Sequence, residues 1–308
     1  MRRAIGADVG VTERREAQTK PGVRGRTTAA LSIVAGAVGI VLLLASVSDA
    51  FATGLPAADI AVLHELENGR LIGAGSNALF HIDVDSGVAE TIALPASAAS
   101  VSAMAANRSG RIYVASPGSG VWVSRDGGES WKAGNSGLPE GVVTSLATHA
   151  RDEDVVYAYL SGDGIYRSED GGGVWHLMDN GPEGMTGPLI HSDMPGSMQT
   201  GWLFAATTNG VSRSMDCFCQ WRLAGTVAGE VSALTFDPRQ PAHLYAATGE
   251  GVFRSHDGGE GWVASRAPAP RIASLLFTST GMLYGLSAGG ALYASADESQ
   301  SWRRIDGF

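Results

Sequence analysis

Serine and aspartate, residue types that can act as nucleophile and as general acid or base, recur in this chain in one fixed arrangement. The pattern is Ser-x-Asp-x-Gly-x-x-Trp, which is intact three times and weakened twice, with Phe218 or Ser299 in the glycine place. An active site needs different residues converging on one point, whereas identical sets at regular intervals occupy equivalent places in a repeated structure. The intact copies are Ser124, Asp126, Gly128 and Trp131, then Ser168, Asp170, Gly172 and Trp175, then Ser255, Asp257, Gly259 and Trp262. The weakened copies are Ser214, Asp216 and Trp221, and Ser295, Asp297 and Trp302.

A structural role accounts for each residue type in this repeated turn. The aspartate carboxylate and the serine hydroxyl can accept hydrogen bonds from backbone N–H groups of their own turn. Glycine permits a positive φ where the chain reverses, and tryptophan can bury a large apolar area against its own sheet. We therefore interpret the repeated turns as structural and predict no catalytic residue among them.

Seven carboxylates outside the repeated turns are the remaining candidates for acid/base chemistry. A glycosidase would need two of them about 5–10 Å apart. Their sequence context favours charged turns between strands, since three lie in the consecutive run 152–154 and two lie between glycines. The seven are Asp152, Glu153, Asp154, Asp163, Asp193, Glu230 and Glu250.

The chain's two cysteines lie together in the weakened turn Cys217-Phe218-Cys219, beside Met215. In an exported protein two thiols indicate oxidation, here to a disulfide that closes a very small ring. Free or intermolecularly paired thiols are a second interpretation. A third is a soft-metal site, for example for Cu(I), in which methionine or His191 assists the two cysteines. The sequence leaves these three interpretations open.

The elements that position these residues are short strands with a constant repeat. One apolar strand recurs at steps of 39 to 47 residues and defines six units. Each unit contains four short strand-like runs, and four strands per period of about 40 residues is the spacing of a β-propeller blade. We predict an all-β fold, a single β-propeller of six four-stranded blades. The reference positions are Ile72, Tyr113, Tyr157, Phe204, Tyr245 and Tyr284.

The N-terminal region predicts export. Residues 1–28 form a basic segment, and residues 29–47 are apolar and uncharged over about the length that spans a bilayer. The basic residues before this stretch place the N-terminus in the cytoplasm, and Ala50-Phe51-Ala52 fits a signal-peptidase site. Residues 29–52 are therefore a cleaved signal peptide or an uncleaved membrane anchor, followed by a linker at 53–59 and the propeller at 60–308.

Composition limits the partners of the propeller. Glycine accounts for 42 of the 308 residues, which indicates many tight turns. After residue 52 the chain carries 15 basic and 27 acidic residues, with the basic ones scattered singly. This charge excludes nucleic acid and anionic lipid surfaces as expected partners. The sequence contains no phosphate-binding loop, nucleotide fingerprint or zinc-ligand spacing, so we predict no cofactor.

The repeated turns resemble the Asp-box, or bacterial neuraminidase repeat, of sialidases, sortilin-type receptors, xyloglucan-cleaving glycosidases and photosystem II stability/assembly-factor-like proteins. The resemblance covers roughly residues 60–305 and implies a propeller whose boxes lie on the outer rim, away from the ligand-binding face. Activity does not follow from it, because enzymes and binding proteins share the repeat. The Phe/Tyr-Arg-Ile-Pro motif of sialidases has no match before the boxes, and the chain has room for one small propeller, not the two of the xyloglucan enzymes.

The nearest functional model implied by this resemblance is the assembly-factor-like branch. We therefore expect a non-catalytic scaffold that binds a protein partner on one propeller face, in the periplasm or outside the cell. Residues 29–47 anchor it in the membrane if they are not cleaved. The alternative is an extracytoplasmic glycan-binding protein or glycosidase, and a weaker alternative is a copper-handling protein built on Cys217 and Cys219.

Overall fold

The computed structural model describes residues 60–66, 69–266 and 271–306. These residues form six four-stranded antiparallel sheets and contain no α-helix. Each sheet uses four consecutive strands, so each is one blade of a β-propeller, and the prediction of six blades is confirmed. The predicted segments 1–28, 29–52 and 53–59 lie outside the described residues. Within the described ranges, no helix has the length and apolar character needed to cross a membrane.

The strands have equivalent places in the six blades. The first, innermost strands are β1 (Ile60–Glu65), β5 (Ala103–Ala106), β9 (Val143–Thr148), β13 (Met185–Ser192), β17 (Val231–Asp237) and β21 (Ile272–Phe277). The second strands are β2 (Leu71–Gly75), β6 (Ile112–Ser116), β10 (Val156–Leu160), β14 (Trp202–Thr207), β18 (Gln240–Thr248) and β22 (Leu283–Ser287). The third strands are β3 (Leu79–Asp83), β7 (Gly120–Ser124), β11 (Gly164–Ser168), β15 (Gly210–Met215), β19 (Gly251–Ser255) and β23 (Leu292–Ser295). The outermost strands are β4 (Val88–Ile92), β8 (Lys132–Ala133), β12 (His176–Asp179), β16 (Arg222–Leu223), β20 (Val263–Ala264) and β24 (Arg303–Arg304).

The hydrophobic core lies between adjacent blades. All residues of β2 and of β6 are buried, because the second strand of a blade is covered on both sides. Tyr113 and Tyr157, at two of the predicted reference positions, are fully buried. The short outermost strands, such as β8 and β24, are exposed along their length. The repeated apolar strand of the sequence is therefore the part of each blade on which its neighbours pack.

Side-chain hydroxyls join the innermost strands of neighbouring blades. Ser102 Oγ donates to the Val143 carbonyl at 2.7 Å, and Leu189 N–H donates to Ser145 Oγ at 2.9 Å. Blade six meets blade one in the same way, because Leu63 N–H donates to Ser274 Oγ at 3.3 Å. The outermost strand of blade six, β24, pairs with β23 of its own sheet. The ring therefore closes by packing between blades and not by a strand shared between them.

Two faces of the ring follow from the antiparallel order of the strands. One face carries the connections between first and second strands, and also the repeated turns between third and fourth strands. We call it the motif face. The opposite face carries the connections between second and third strands and those that lead to the next blade. In blades two to six the first connection begins with a polar residue whose side chain accepts a backbone N–H ahead of it, namely Asn107, His149, Ser192, Asp237 and Thr278.

Candidate functional site in the central channel

Four of the five repeated turns share one hydrogen-bond pattern. In blade two, Ser124 Oγ donates to Asp126 Oδ1 at 2.8 Å and Gly128 N–H donates to Ser124 Oγ at 2.8 Å. Hydrogen bonds from the Ser130 hydroxyl and backbone lower the pKa of the exposed Asp126 carboxyl to about 2. The same two contacts, at 2.7 to 2.9 Å, join Ser168 to Asp170 and Gly172, Ser255 to Asp257 and Gly259, and Ser295 to Asp297 and Ser299.

The glycines of the intact turns do more than permit the chain reversal that the sequence suggested. Gly172 and Gly259 are left-handed, with φ of 90° and 88°, as expected. Both are also packed against the preceding blade. A Cβ added at Gly172 would lie 3.0 Å from Val123, and one added at Gly259 would lie 2.9 Å from Ala224. The absence of a side chain at these positions therefore lets adjacent blades approach each other at the rim.

The turn of blade six keeps the shared hydrogen bonds although its sequence departs from the pattern. Ser299 replaces the glycine and adopts its left-handed conformation, with φ of 68°. Ser299 N–H still donates to Ser295 Oγ, and Asp297 still accepts from Ser301 N–H at 2.8 Å. The buried Ser299 hydroxyl also bonds to Ser265 Oγ. The loss of glycine in this copy therefore does not weaken the turn's hydrogen bonding.

The tryptophans of the intact turns contact the preceding blade, not only their own sheet as the sequence suggested. Trp131 Nε1 donates to the Ala93 carbonyl at 3.0 Å, and Trp175 Nε1 donates to the Gly134 carbonyl at 2.9 Å. Trp262 Nε1 likewise donates to the carbonyl of Ala224, at 2.8 Å. Each acceptor lies next to or near the outermost strand of the blade before. These indoles therefore hold adjacent blades together at the rim.

The tryptophans of the two weakened turns depart from this arrangement in different ways. Trp221 still reaches the preceding blade, but its Nε1 donates to a carboxylate, Asp179 Oδ1, at 2.8 Å instead of to a backbone carbonyl. Trp302 Nε1 has no hydrogen-bond partner among the described residues. The half-buried Trp302 ring lies over Gly285 of β22 and packs with the core of blades five and six. Of the five tryptophans, Trp302 comes nearest to the purely apolar role that the sequence predicted.

The turn of blade four is built differently, although its serine and aspartate match the pattern. Ser214 Oγ and Asp216 Oδ1 have no hydrogen-bond partner among the described residues. Asp216 is 1% exposed, whereas Asp126, Asp170 and Asp257 are exposed. The sulfur atoms of Cys217 and Cys219 are joined in a disulfide across this turn. Asp216 therefore does not make the hydrogen bonds that its counterparts make in the other four turns, and a disulfide closes this turn instead.

Asp216 Oδ2 points into the interface between blades three and four. It accepts hydrogen bonds from the Thr200 N–H, at 3.0 Å, and from the Thr200 hydroxyl. His191 Nε2 lies 3.8 Å away, too far for a hydrogen bond but close enough for electrostatic attraction. Burial raises the pKa of the Asp216 carboxyl, but the facing His191 ring and the Thr200 bonds outweigh burial and bring the pKa to about 2.

His149 completes this buried cluster. Its Nε2 lies 2.8 Å from Thr200 Oγ1, and its ring stacks on that of His191 with centroids 3.8 Å apart. Burial, with a smaller contribution from the neighbouring His191, lowers the pKa of His149 to about 4, so its ring is neutral near pH 7. We call His149, His191, Thr200 and Asp216 the inner cluster. The sequence pattern pointed only to His191 and Asp216.

The hydrogen bonds of the inner cluster fix both histidine tautomers. His149 Nδ1 accepts the backbone N–H groups of Arg151 and Asp152, at 3.1 and 2.9 Å. His191 Nδ1 accepts the N–H of Ala150 at 3.1 Å. Each neutral ring must therefore carry its proton on Nε2, the nitrogen that faces the cluster.

These tautomers decide whether the inner cluster suits a metal ion. A metal ligand needs a lone pair, and the partner nitrogen of a ligating imidazole normally donates a hydrogen bond. Here the nitrogens that face Asp216 are protonated, and their partners accept hydrogen bonds. The two histidines and Asp216 have the composition of a metal site, but we interpret the inner cluster as a hydrogen-bonded support of the first connection in blade three.

The disulfide bears on the soft-metal interpretation of blade four. Both cysteine sulfurs are bonded to each other, so neither is a thiolate ligand in this state. Met215 ends strand β15, and His191 is directed toward Asp216. Of the three interpretations of Cys217 and Cys219, the structure therefore presents the disulfide.

The inner cluster lies beside a cavity on the propeller axis. The cavity has a volume of about 530 Å³ and opens at the ends of the innermost strands on the motif face. Its polar lining includes His64, Asn107, His149 and His191, and charged side chains such as Glu65 and Arg108 lie at its rim. A smaller cavity of about 220 Å³ occupies the other half of the channel. The two cavities share an apolar constriction formed by Leu63, Leu146, Leu189, Leu234 and Leu275.

The position of this cavity differs from what the sequence resemblance implied. The resemblance placed the repeated turns away from the ligand-binding face, but this cavity opens on the same face as those turns. The loop at 193–200 lies beside it and lines an adjoining depression with Asp152 and Glu153. Met198 in this loop is 69% exposed. The combination of a concave centre and an exposed apolar side chain makes the motif face the candidate binding surface.

The seven candidate carboxylates are divided between the two faces. Asp163, Glu230 and Glu250 lie in connections of the opposite face, whereas Asp152, Glu153, Asp154 and Asp193 lie in first connections of the motif face. On the motif face, Asp154 pairs with Arg111 at 2.8 Å and Asp193 pairs with Arg151 at 2.6 Å. Three of the seven, Asp152, Glu153 and Asp193, line the adjoining depression, and Asp193 is held there by Arg151.

Comparison with known proteins supports the fold. No model of a known protein family matches the chain, and no curated protein matches it. Among solved structures, YCF48 bound to D1 peptide is 18% identical with a TM-score of 0.52, over 76% of each chain. The GH74 enzyme of Niastella koreensis is 16% identical with a TM-score of 0.55, over 79% of this chain and 46% of the enzyme.

A further similar structure is the extracellular domain of the hybrid two-component system BT4673 from B. thetaiotaomicron. It is 13% identical with a TM-score of 0.55, over 80% of this chain and 32% of that one. The chain thus spans less than half the length of the GH74 enzyme and of the BT4673 domain. At these identities the comparisons show the fold alone: the chain is a six-bladed β-propeller.

Proposed function

We propose that this propeller is an exported, non-catalytic scaffold that binds a segment of a protein partner at the channel mouth on the motif face. The observation that carries the proposal is the cavity of about 530 Å³ at the ring centre, with an apolar floor and a polar rim. An extended segment could place an apolar side chain on the leucine constriction and pair its backbone with the rim. The solved structure of YCF48, a similar propeller, contains a bound D1 peptide.

The repeated turns enter this proposal as Asp-boxes. Four of them share the serine–aspartate bonds described above, and four of the five tryptophans donate a hydrogen bond to the preceding blade. We infer that the boxes hold the ring rigid while the first connections provide the binding surface. Three candidate carboxylates line the motif face beside the channel mouth, but Asp193 is paired with Arg151, so we favour a binding role over glycoside hydrolysis.

Export is part of the same proposal. It is supported by the apolar stretch at 29–47, by the small residues at 50–52 and by the disulfide, which is typical of oxidising compartments. Cell fractionation and N-terminal sequencing of the mature protein will test it. A new N-terminus near residue 53 indicates cleavage, and an intact N-terminus in the membrane fraction indicates an anchor. Intact protein in the cytosol would contradict export.

Site-specific photo-crosslinking tests the binding face. A photoreactive amino acid replaces the exposed Arg108 at the channel mouth, and the matched control replaces the exposed Glu250 on the opposite face. We expect irradiated cells to yield a discrete crosslinked protein from position 108 and none from position 250. Crosslinks from position 250 alone would refute the choice of face. Crosslinks from neither position, together with no stoichiometric partner in a pull-down from membranes, would refute the scaffold.

A further inference from the structure

A second group of metal-ligand side chains lies at the rim between blades five and six. His243 is in β18, and His256 follows β19 within the repeated turn of blade five. Glu298 belongs to the repeated turn of blade six and has a positive φ of 56°. His256 comes 13 residues after His243 in the same blade, and Glu298 comes 42 residues after His256, so the contact between blades brings Glu298 to the two histidines.

The three side chains are close together, and a rotation of the stacked imidazole rings would direct a nitrogen of each at one ion. The two imidazole rings stack with centroids 4.1 Å apart and planes at 10°. His256 Nε2 lies 3.2 Å from Glu298 Oε2. Each of the three residues offers one potential ligand atom, and these three atoms lie within 4.8 Å of one another. His256 is exposed and His243 half-buried, so an ion could enter from solvent without rearrangement of the blades.

This rim cluster differs from the inner cluster in the property that excluded a metal there. Among the described residues, no backbone N–H donates to a ring nitrogen of His243 or His256, so neither tautomer is fixed. His243 Nδ1 is buried and has no hydrogen-bond partner within the same residues. Buried polar atoms of this kind normally find a partner.

Arg254 completes the surroundings. Its Nη1 lies 3.4 Å from Glu298 Oε2. A ligating carboxylate is commonly held by such an outer hydrogen-bond donor. The arginine also offers the competing explanation, since Arg254, His256 and Glu298 could form only a surface ion-pair network. A network of this kind would bind no ion, so direct metal titration separates the two.

We propose that His243, His256 and Glu298 bind one divalent first-row transition cation such as Zn²⁺, Ni²⁺ or Cu²⁺. Two imidazoles suit these ions better than Ca²⁺ or Mg²⁺, which prefer oxygen ligands. Three protein ligands leave coordination positions open to water or to another molecule. The proposal is independent of partner binding at the channel mouth.

Calorimetric titration with ZnCl₂ or NiCl₂ of the full-length protein, purified without a histidine tag, tests the site. We expect one ion per chain. His256→Asn and Glu298→Gln should each weaken binding by roughly 100-fold, the upper end of what loss of even an outer-shell partner produces. The matched control His176→Asn removes an exposed histidine elsewhere and should leave the affinity unchanged. Urea unfolding of the metal-free variants confirms that they fold.

Two results would overturn the proposal. One is a wild-type protein that binds neither ion, and the other is affinity retained within about threefold by both rim variants. Loss of metal binding in His149→Asn but not in His256→Asn would instead assign the metal site to the inner cluster. With Cu²⁺, the electron paramagnetic resonance spectrum should show coupling to two ring nitrogens in the wild type and to one in His256→Asn.

Discussion

Replacement of Asp216 by asparagine tests whether the buried carboxylate stabilises the interface of blades three and four. Asparagine can still accept the Thr200 hydrogen bonds through an oxygen in the place of Oδ2, but its NH₂ group then takes the place of Oδ1, which is buried and has no hydrogen-bond partner among the described residues. This NH₂ group would then be a buried donor without a partner, and the charge that His191 faces would be lost, both of which are destabilising.

The magnitude follows from the pKa of the carboxyl. Its fall from 3.8 to about 2 on folding corresponds to about 2 kcal/mol of stability that depends on the ionised form. Because the folded pKa is the lower one, this stability is fully present above pH 3.8 and disappears as the pH falls through about 2. Asp216→Asn should therefore lower the free energy of unfolding by at least about 2 kcal/mol at pH 7.

Urea unfolding followed by tryptophan fluorescence measures this difference at pH 7 and at steps down to pH 2. The control is Asp257→Asn, since an amide oxygen in that exposed turn can accept the same Ser255 and Gly261 bonds. A second arm combines Asp216→Asn with His191→Gln. Because the two side chains attract each other in the wild type, the double variant should lose about 1 kcal/mol less than the sum of the single losses. Equal losses for Asp216→Asn and Asp257→Asn, or strict additivity in the second arm, would refute the reasoning.

Three further predictions concern the rim and can be checked by the same unfolding measurements. Trp175→Phe should destabilise the protein by about 1–3 kcal/mol, because it leaves a carbonyl of the preceding blade without its donor. Gly128→Ala should be more harmful than Gly127→Ala: both have positive φ, but only the Cβ added at 128 meets a side chain of blade one, at 2.4 Å. Replacing both Cys217 and Cys219 by serine should lower the free energy of unfolding by about 1.5 kcal/mol, the loop-entropy value for a ring of three residues. A larger loss when the wild-type disulfide is reduced would contradict this estimate.

The blade architecture could be predicted from the sequence because it is local and repeated. Each unit contains its own strands and turns, and the same residues recur at equivalent places, such as Tyr113, Tyr157 and Tyr245. The Ser-x-Asp pattern also predicted the geometry of four turns, since their hydrogen bonds join residues no more than four apart in the chain. Hydrogen bonds between residues so close in sequence can be predicted without knowledge of the fold.

The features that break the repeat could not be predicted in the same way. Asp216 matches the pattern, yet its carboxylate turns inward, because Thr200 and His191 of the same blade provide a buried alternative. The sequence pattern does not single out His149, because histidine is an unusual cap for a turn. It stands where other blades have Asn107, Ser192, Asp237 or Thr278, and this equivalence emerges only from the strand register. The rim cluster depends on contact between two blades, which no single repeat encodes.

The closure of the ring without a shared strand has a consequence for chain connectivity. Every sheet is made from one uninterrupted segment, and among the described residues blade six meets blade one through packing and hydrogen bonds that involve side chains, including the bond from Leu63 to Ser274. The order of the blades around the ring is therefore independent of which blade is synthesised first. A circular permutant opened between any two blades, with a linker joining residues 306 and 60, would retain all six sheets and the channel that they enclose.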